Sequence, residues 1–352
     1  MTIYLINAFS IGLYAFANSL IDEITPKLKK NSYRLAINRC NPVVFILMVL
    51  QLALLLGLRM PSVGVDTARY VYIFQHFNFK DFDYEYGYMI LNYLLSSFTD
   101  NERVFLLTTA LLSIVPVGIM IYKYSEKPFL SWFVYICMFY YSFNFSGIRQ
   151  SLAASFLVMA FMLIVNKHPV WASVFVVVAS SFHTSALIFL IAVFLRNHKW
   201  KKIDILIVLF SYVFIFIFRV PLFNLITSIF YEEYQAVETD AYTWMFVHIL
   251  LLVLLYYLKS FLDDDKIVDF ALTLFTVGCS FMLLTSVGTN VLRVANYFNV
   301  FIVLLIPNLM KIFDAKSRLI VVWLGVLVLS YFYYTHLQNN PYYIIPYKYS
   351  WF

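Results

Sequence analysis

Long runs of apolar residues, each close to the length of a membrane crossing, follow one another along almost the whole chain. Because roughly 20 apolar residues cross a bilayer, this pattern predicts about ten spans with short polar connections. The expected fold class is therefore all-α, a polytopic transmembrane helical bundle. The predicted spans cover residues 3–20, 43–58, 104–122, 129–145, 150–166, 203–218, 243–258, 267–285, 297–310 and 319–335.

A further apolar stretch, residues 169–195, is interrupted in its middle by the short polar sequence around His183. We expect a re-entrant loop or short helical hairpin here, with His183 near its tip, which gives 10–12 crossings in all. Charge favours this course, because Lys167 before the stretch and Lys199 after it then both lie on the cytoplasmic side. The same rule places the basic segment 27–39 inside and both termini outside.

Composition excludes several classes of protein. Of 352 residues, 62% are hydrophobic and only 12% are charged, whereas a soluble protein carries about a quarter charged residues. A soluble enzyme, a nucleic-acid-binding protein and a disordered chain are therefore excluded, and the net charge of +6 reflects membrane orientation. With no internal repeat or linker, residues 1–352 are expected to form a single integral-membrane domain, with an external loop and interfacial-helix segment at 59–103.

The external segment carries two polar faces at helical spacing. Asp66, Arg69 and Tyr70 would share one face of a first helix, and Glu85 and Tyr88 one face of a second helix. Apolar residues on the other side of the second helix are typical of a helix lying in the membrane interface. These polar residues are either interfacial anchors with surface ion pairs or part of a functional site, and their number in a chain so poor in charge favours a site.

Two arginines next to apolar spans suggest anion binding. Arg149 lies in the predicted first turn of a helix that Ser146 is expected to cap, where a cation opposes the helix dipole unless an anion compensates it. Arg293 is flanked by apolar residues, where a charge is costly. Together they could hold a diphosphate. The alternatives are that Arg149 reaches the lipid headgroups, and that Arg293 pairs with Asp66 or Glu85.

His183 is the histidine that sits in a predicted break of a span among small and apolar neighbours. A neutral imidazole there could act as a general base near pH 7. The alternative is a hydrogen-bonded core residue. The other histidines share no spacing typical of metal ligands, so we predict no metal site and no cofactor.

Five short motifs stand in order along the chain: Arg59 with Gly64-x-Asp66 and Tyr70, then Glu85-Tyr86-Gly87-Tyr88 with Asn92, then Asn144-x-x-Gly147-Ile148-Arg149-Gln150-Ser151-x-Ala153, then Ala179-Ser180-x-Phe182-His183-x-Ser185-Ala186, and last Arg293-x-x-x-Tyr297-Phe298. Each is short and weak alone. Their order and spacing across residues 59–298 resemble the EpsG family of bacterial exopolysaccharide polymerases, a Wzy-like group.

The resemblance implies an integral-membrane glycosyltransferase in the bacterial cytoplasmic (inner) membrane, with its active site facing outward. Such an enzyme joins oligosaccharide repeat units linked to undecaprenyl diphosphate into exopolysaccharide, capsule or O-antigen. The lipid-linked oligosaccharide is both donor and acceptor. The bilayer and a chain-length regulator protein are the other expected partners, and nucleic acid is not.

The resemblance also implies residue roles. His183 is the first candidate for the base that takes the acceptor proton, followed by Glu85 and then Asp66. Arg149 and Arg293 would stabilise the departing diphosphate. The remaining predicted substrate-binding residues are Arg59, Tyr70, Tyr88, Asn144, Gln150 and Tyr297.

Three other functions fit parts of this pattern. A polysaccharide ligase shares the donor and differs in the acceptor. A membrane O-acyltransferase of surface polysaccharide would place an essential His and Arg in its first span, and residues 3–20 contain neither. A flippase for the lipid-linked oligosaccharide would show two related halves with interrupted helices, whereas this chain shows one break and no repeat.

Overall fold

A computed structural model describes residues 1–24, 40–230, 242–288 and 290–349, and within them the predicted all-α fold class is confirmed. These residues form helices and an isolated bridge between Arg59 and Tyr349, without a β-strand. The helices are α1 (Thr2–Ile24), α2 (Pro42–Gly57), α3 (Thr67–Gln75), α4 (Tyr86–Ser96), α5 (Glu102–Tyr124), α6 (Pro128–Cys137), α7 (Tyr140–Phe143), α8 (Ile148–Val165), α9 (Pro169–Ser180), α10 (Leu190–Leu195), α11 (Lys202–Ile217), α12 (Arg219–Phe230), α13 (Tyr242–Lys259), α14 (Lys266–Met282), α15 (Val291–Asn299), α16 (Ile302–Leu309) and α17 (Ala315–Asn339), with 3₁₀ segments at Thr184–Phe189 and Met310–Ile312.

The protein is a multi-pass membrane protein. Among the described residues, six helices are long and apolar enough to cross a bilayer, or seven if α11 and α12, bent by 81°, form one span. Large side chains such as Phe210, Leu250 and Leu327 stay exposed on these helices, as expected of faces that contact lipid rather than water.

The predicted number of about ten spans is not confirmed, because several apolar runs form shorter or broken helices. The run at 129–145 divides into α6 and α7, since Phe139 between them has a left-handed φ of 71°. In the stretch 169–195, α9 ends at Ser180 and a 3₁₀ segment follows, so the predicted break at His183 is present. The basic segment 27–39 used to predict orientation lies within the residues that the structure does not describe.

The chain divides into two compact units, one of residues Met1–Leu187 and Phe313–Phe352 and the other of residues Ile188–Ile312. In the first unit α8 packs against α9 and α5, and α5 packs against α2. In the second unit α14 packs against α13, α15 and α16. The single-domain organisation stays a prediction.

The predicted polar helices α3 and α4 pack on α5 and on the start of α8 through aromatic side chains. Phe74 of α3 stacks on Phe105 of α5 with ring centroids 4.9 Å apart, and both are fully buried. Tyr70 of α3 contacts Tyr88 of α4 at 5.7 Å. Burial of this apolar face fixes the position of two short helices that would be marginal alone.

The loop before α3 is fixed by the break between α7 and α8. Ser146 was expected to cap α8, and this expectation is wrong, because Gly147 occupies the cap position without a side-chain bond. The Ser146 hydroxyl instead accepts from the Val65 amide and donates to the Tyr342 carbonyl, both at 3.0 Å. The Thr67 hydroxyl adds a bond of 2.6 Å to the Phe145 carbonyl. One serine therefore joins three separate parts of the first unit.

Gly64 makes this close approach possible. Its φ is +104°, and a Cβ placed on it would lie 2.0 Å from the Phe145 carbonyl oxygen. Gly64→Ala is therefore expected to lower the free energy of unfolding by about 2 kcal/mol or more, because strain and overlap add. Thermal unfolding of the purified protein in detergent measures the change.

Gly325→Ala is the matched control for this substitution. Gly325 lies in the middle of α17, and no heavy atom of another residue lies within 4 Å of the position that a Cβ would take. Alanine is therefore expected to be neutral there or to stabilise the helix by about 0.5–1 kcal/mol. Equal melting temperatures for the two variants would contradict the role given to Gly64.

Candidate active site

The carboxylate of Glu85 is the centre of a polar cluster in the first unit. Glu85 precedes α4, where the helix dipole favours a negative charge. Its Oε2 accepts a short hydrogen bond from Nη1 of Arg149 in the first turn of α8. Its Oε1 lies 3.2 Å from Nδ1 of His183 and also accepts from the Thr184 amide at 3.2 Å. One side chain thus joins α4, α8 and the turn after α9.

Backbone contacts hold α4 against the turn after α9. The amides of Gly87 and Tyr88 donate to the Ser181 carbonyl at 2.7 Å and 3.3 Å. A Cβ on Gly87 would lie 2.8 Å from the Ser181 carbonyl oxygen, so only glycine permits this approach of the two backbones. The motif Glu85-Tyr86-Gly87-Tyr88 therefore places its glutamate beside His183 by means of its glycine.

Aromatic rings surround the guanidinium of Arg149. Its Cζ lies 4.6 Å from the ring centroid of Tyr84, within the range of a cation–π contact. Its Nε lies 3.4 Å from the Tyr70 hydroxyl and donates to it. The side chain is 21% exposed, so the guanidinium is held in place and still reaches the surface. The sequence predicted that some anion compensates this arginine, and in the structure that anion is Glu85.

Gln150 contacts the second ring nitrogen of His183. Its Nε2 lies 2.9 Å from Nε2 of His183, and its Oε1 has no partner among the described residues although the side chain is only 4% exposed. Nδ1 of the ring lies 3.2 Å from Glu85 without the alignment of a hydrogen bond, and a proton on Nδ1 leaves Nε2 free to accept from the amide. For the neutral ring, the two contacts fit the tautomer that carries its proton on Nδ1 and its lone pair on Nε2.

Neighbouring charges decide the ionisation of Glu85. Burial by itself raises the pKa of Glu85, but the contact with His183 and the charge of Arg149 outweigh it and lower the pKa to about 2. The carboxylate is ionised at every physiological pH. It is therefore a weak base and a permanent electrostatic partner for the groups on either side.

The structure places the other predicted residues outside this cluster. Arg59 is 2% exposed, and its guanidinium donates to the carbonyls of Leu56 and Phe145. Asn144 is buried and donates to the Tyr135 hydroxyl at 2.8 Å. Arg59 thus joins the end of α2 to the Phe145 backbone in the break before α8, and Asn144 joins this break to α6, so effects of either residue on substrate would pass through that segment.

Asp66, Arg293 and Tyr297 complete the predicted set. Asp66 precedes α3 and accepts from the Tyr70 amide through its backbone carbonyl, so it lies one helical turn before a residue of the cluster. Arg293 and Tyr297 belong to α15 of the second unit, where Arg293 is exposed and Tyr297 is buried. The clamp of Arg149 and Arg293 stays a prediction.

Sequence reasoning missed the contributions of Tyr84 and of the turn after α9. Tyr84 directly precedes Glu85, and its position in a run rich in aromatic residues was the available signal. Nothing in the side-chain pattern indicates that the carbonyl of Ser181 and the amide of Thr184 are used. Within the described ranges, His, Cys, Asp and Glu side chains form no group of three or more that could hold a metal ion.

Comparisons with known proteins agree with the motifs. The sequence profile of the EpsG family matches residues 43–349. The chain is also similar to "Amylovoran biosynthesis protein AmsC" of Erwinia amylovora, with 23% identity over 222 residues. That alignment covers 59% of this chain and 57% of the curated relative, so the chain spans little more than half of its length. No solved structure matches the chain.

The ionised state of Glu85 gives a testable dependence of stability on pH. Its pKa in the fold, about 2, is below its ordinary value of 4.5, so its ionised form stabilises the fold above about pH 4.5 and loses this effect as the pH falls towards 2. We expect the melting temperature of the wild type to exceed that of Glu85→Gln at pH 7, and the gap to narrow at pH 3.

Asp83→Asn is the control, because Asp83 is an exposed carboxylate two residues earlier in the same loop. It is expected to change the melting temperature little at either pH. If the difference in melting temperature between wild type and Glu85→Gln is as large at pH 3 as at pH 7, the charge of Glu85 is not what stabilises the cluster.

Proposed function

The chain belongs to the EpsG family, and on that premise we propose that it is a polysaccharide polymerase, a glycosyltransferase of exopolysaccharide biosynthesis. Its substrates are oligosaccharide repeat units linked to undecaprenyl diphosphate, which serve as both donor and acceptor. The reaction takes place at the outer face of the bacterial cytoplasmic membrane. The name of its relative, an amylovoran biosynthesis protein, supports this class of product.

The observation that carries the proposal is the arrangement of Arg149 and His183 on the two oxygens of Glu85. A glycosyl transfer from a diphosphate needs a cation at the leaving group and a base at the acceptor hydroxyl. The cluster supplies both types of group, held by one carboxylate. Each group is partly exposed, at 21% for Arg149 and 14% for His183, so substrate has access.

In the proposed reaction the acceptor hydroxyl oxygen attacks the anomeric carbon of the donor sugar. A new carbon–oxygen bond forms as the bond between that carbon and the diphosphate oxygen breaks, and the diphosphate leaves with the electron pair. Arg149 stabilises the charge that develops on the leaving group. Nε2 of His183 takes the proton of the acceptor, and Glu85 stabilises the imidazolium that results.

His183 is the base in this scheme because Glu85, with a pKa of about 2, is too weak a base at neutral pH. Its Nε2 accepts from Gln150 in this structure, so the acceptor hydroxyl replaces that amide contact. Rotation of the amide would bring its unpartnered Oε1 to Nε2, where it accepts from the protonated ring. Gln150 thereby supports both charge states of the histidine.

The aromatic residues position the substrate in this proposal. Tyr70 and Tyr88 form the buried side of the cluster, and burial raises the pKa of both, so their hydroxyls stay protonated as donors. Exposed apolar residues of α4, among them Ile90 and Leu94, suit a helix in the membrane interface next to a lipid-linked substrate. A chain-length regulator remains the proposed protein partner.

Arg149→Ala is expected to abolish the polymer ladder of surface polysaccharide and to leave single lipid-linked repeat units. Loss of one charge-stabilising donor typically costs about 100- to 1000-fold in rate. Gel analysis of lipid-linked glycans and surface polysaccharide from cells carrying the variant measures both products. Arg149→Lys keeps the charge and loses the planar fork, so partial activity is expected from it.

Lys80→Ala is the matched control, since Lys80 is an exposed cation in the loop before Glu85. It is expected to leave the ladder intact. A full ladder with Arg149→Ala, produced in normal amount, would contradict the proposal. Repeat units retained inside the cell would indicate a flippase. Polymer attached to the wrong acceptor would indicate a ligase, and polymer that lacks only its acyl groups would indicate an O-acyltransferase.

His183→Ala is expected to reduce polymerisation in reconstituted vesicles by about 100-fold or more while the protein still folds. His76→Ala is its control, because His76 is exposed at the end of α3 and stacks on Tyr72. The assay compares polymer length and initial rate at equal protein. Full-length polymer at the wild-type rate from His183→Ala would remove this residue from the mechanism.

A further inference from the structure

Arg69 is a second guanidinium beside the cluster and is not among the residues predicted to bind substrate. It lies on the exposed side of α3, and its Cζ is 5.7 Å from the ring centroid of Tyr84. No carboxylate in the described part of the chain, including that of Asp66 three residues earlier, forms an ion pair with Arg69. Arg69 therefore keeps an exposed charge whose described contact is an aromatic ring.

Arg69 and Arg149 share that ring. Because their Cζ atoms lie 5.7 Å and 4.6 Å from the same centroid of Tyr84, they are at most about 10 Å apart. Tyr84 directly precedes Glu85 in the sequence. Glu85 orients Arg149 by charge, and Tyr84 contacts both arginines through its ring. The two cations are thus placed by one short segment.

Most of the donors of these arginines remain unused. Arg149 donates through Nη1 to Glu85 and through Nε to Tyr70, which leaves its Nη2 group. A ring contact uses no N–H group, so all five donors of Arg69 remain. Planar guanidinium groups match phosphoryl oxygens in pairs. Two such forks, at most about 10 Å apart, are both within reach of an anion with two linked phosphoryl groups.

We propose that Arg69, Tyr84 and Arg149 form a binding site for a diphosphate. Arg149 binds the phosphoryl group attached to the sugar, since it shares Glu85 with His183, and Arg69 binds the second phosphoryl group. With N–H···O bonds of about 2.9 Å at each end, two phosphoryl groups joined by one oxygen are long enough to reach both arginines even at the largest separation that the shared ring allows, whereas a single group is too short there. The identification of the lipid-linked ligand rests on the proposed function.

The test compares inorganic diphosphate with inorganic phosphate by titration calorimetry on the full-length protein in nanodiscs. Wild type is expected to bind diphosphate more tightly. Arg69→Gln is expected to weaken diphosphate binding about tenfold, the usual size of one charge-assisted contact, and to leave phosphate binding unchanged. Lys80→Gln removes an equal charge from the neighbouring loop and is expected to change neither.

Three results would overturn the inference. The first is that the wild type does not bind diphosphate more tightly than phosphate, and the second is that Arg69→Gln keeps this preference. The third is that Lys80→Gln loses as much affinity for diphosphate as Arg69→Gln does. Since Arg69 is exposed, its substitution should leave the melting temperature unchanged, and this measurement separates lost binding from lost folding. Arg69→Lys keeps the charge without the fork and is expected to fall between wild type and Arg69→Gln.

Two further titrations separate the source of the diphosphate and the fate of the proposed function. Undecaprenyl diphosphate in the nanodisc should compete with inorganic diphosphate, whereas tighter competition by soluble uridine diphosphate would assign the site to a nucleotide. If diphosphate binding depends on Arg69 but the protein has no polymerase activity, the binding site is supported and the proposed function is contradicted. A normal ladder from cells with Arg69→Gln would remove the role of the site in polymerisation.

Discussion

A single carboxylate organises the polar part of this membrane protein. Removing a charge from water costs several kcal/mol unless it is paired and hydrogen-bonded. Glu85 meets this requirement with a guanidinium, an imidazole and a backbone amide, which come from α8 and the turn after α9. In a chain with only 12% charged residues, this pairing both fixes the geometry of three chain segments and brings a carboxylate, a guanidinium and an imidazole together in one place.

Irregular backbone surrounds this carboxylate. The break before α8 and the turn after α9 both leave the helical hydrogen-bond pattern, and both sit next to apolar helices. Such segments are tolerated near a bilayer where protein buries them or where they line a polar cavity. Their free carbonyl groups accept hydrogen bonds here, that of Phe145 at the break from Thr67 and that of Ser181 at the turn from Gly87. The interruptions of the helices therefore create the site rather than weaken it.

The sequence pattern predicted those structural features that depend on residues close together in the chain. The apolar runs gave the helices, the spacing of Asp66 and Tyr70 gave α3, and the polar interruption in 169–195 gave the break at His183. The ionic partner of Arg149 did not follow, because Glu85 is 64 residues away in sequence and several acidic residues were equally plausible. Ser146 was misassigned as a cap for a related reason, since its partners, Val65 and Tyr342, lie on distant segments. Non-local hydrogen bonds leave no periodic signal.

The hydroxyl of Ser146 also carries information about the order in which the site forms. Its acceptor, the Tyr342 carbonyl, is 196 residues further along the chain. The same final segment pairs Tyr349 with Arg59 and accepts from the Gly64 amide through Tyr343. Because synthesis runs from the N-terminus, the ribosome adds these residues long after those of α3 and α8. The loop before α3 can therefore gain these bonds only after the segment around Tyr342 has been synthesised, so its final position depends on residues almost 200 positions beyond the break before α8.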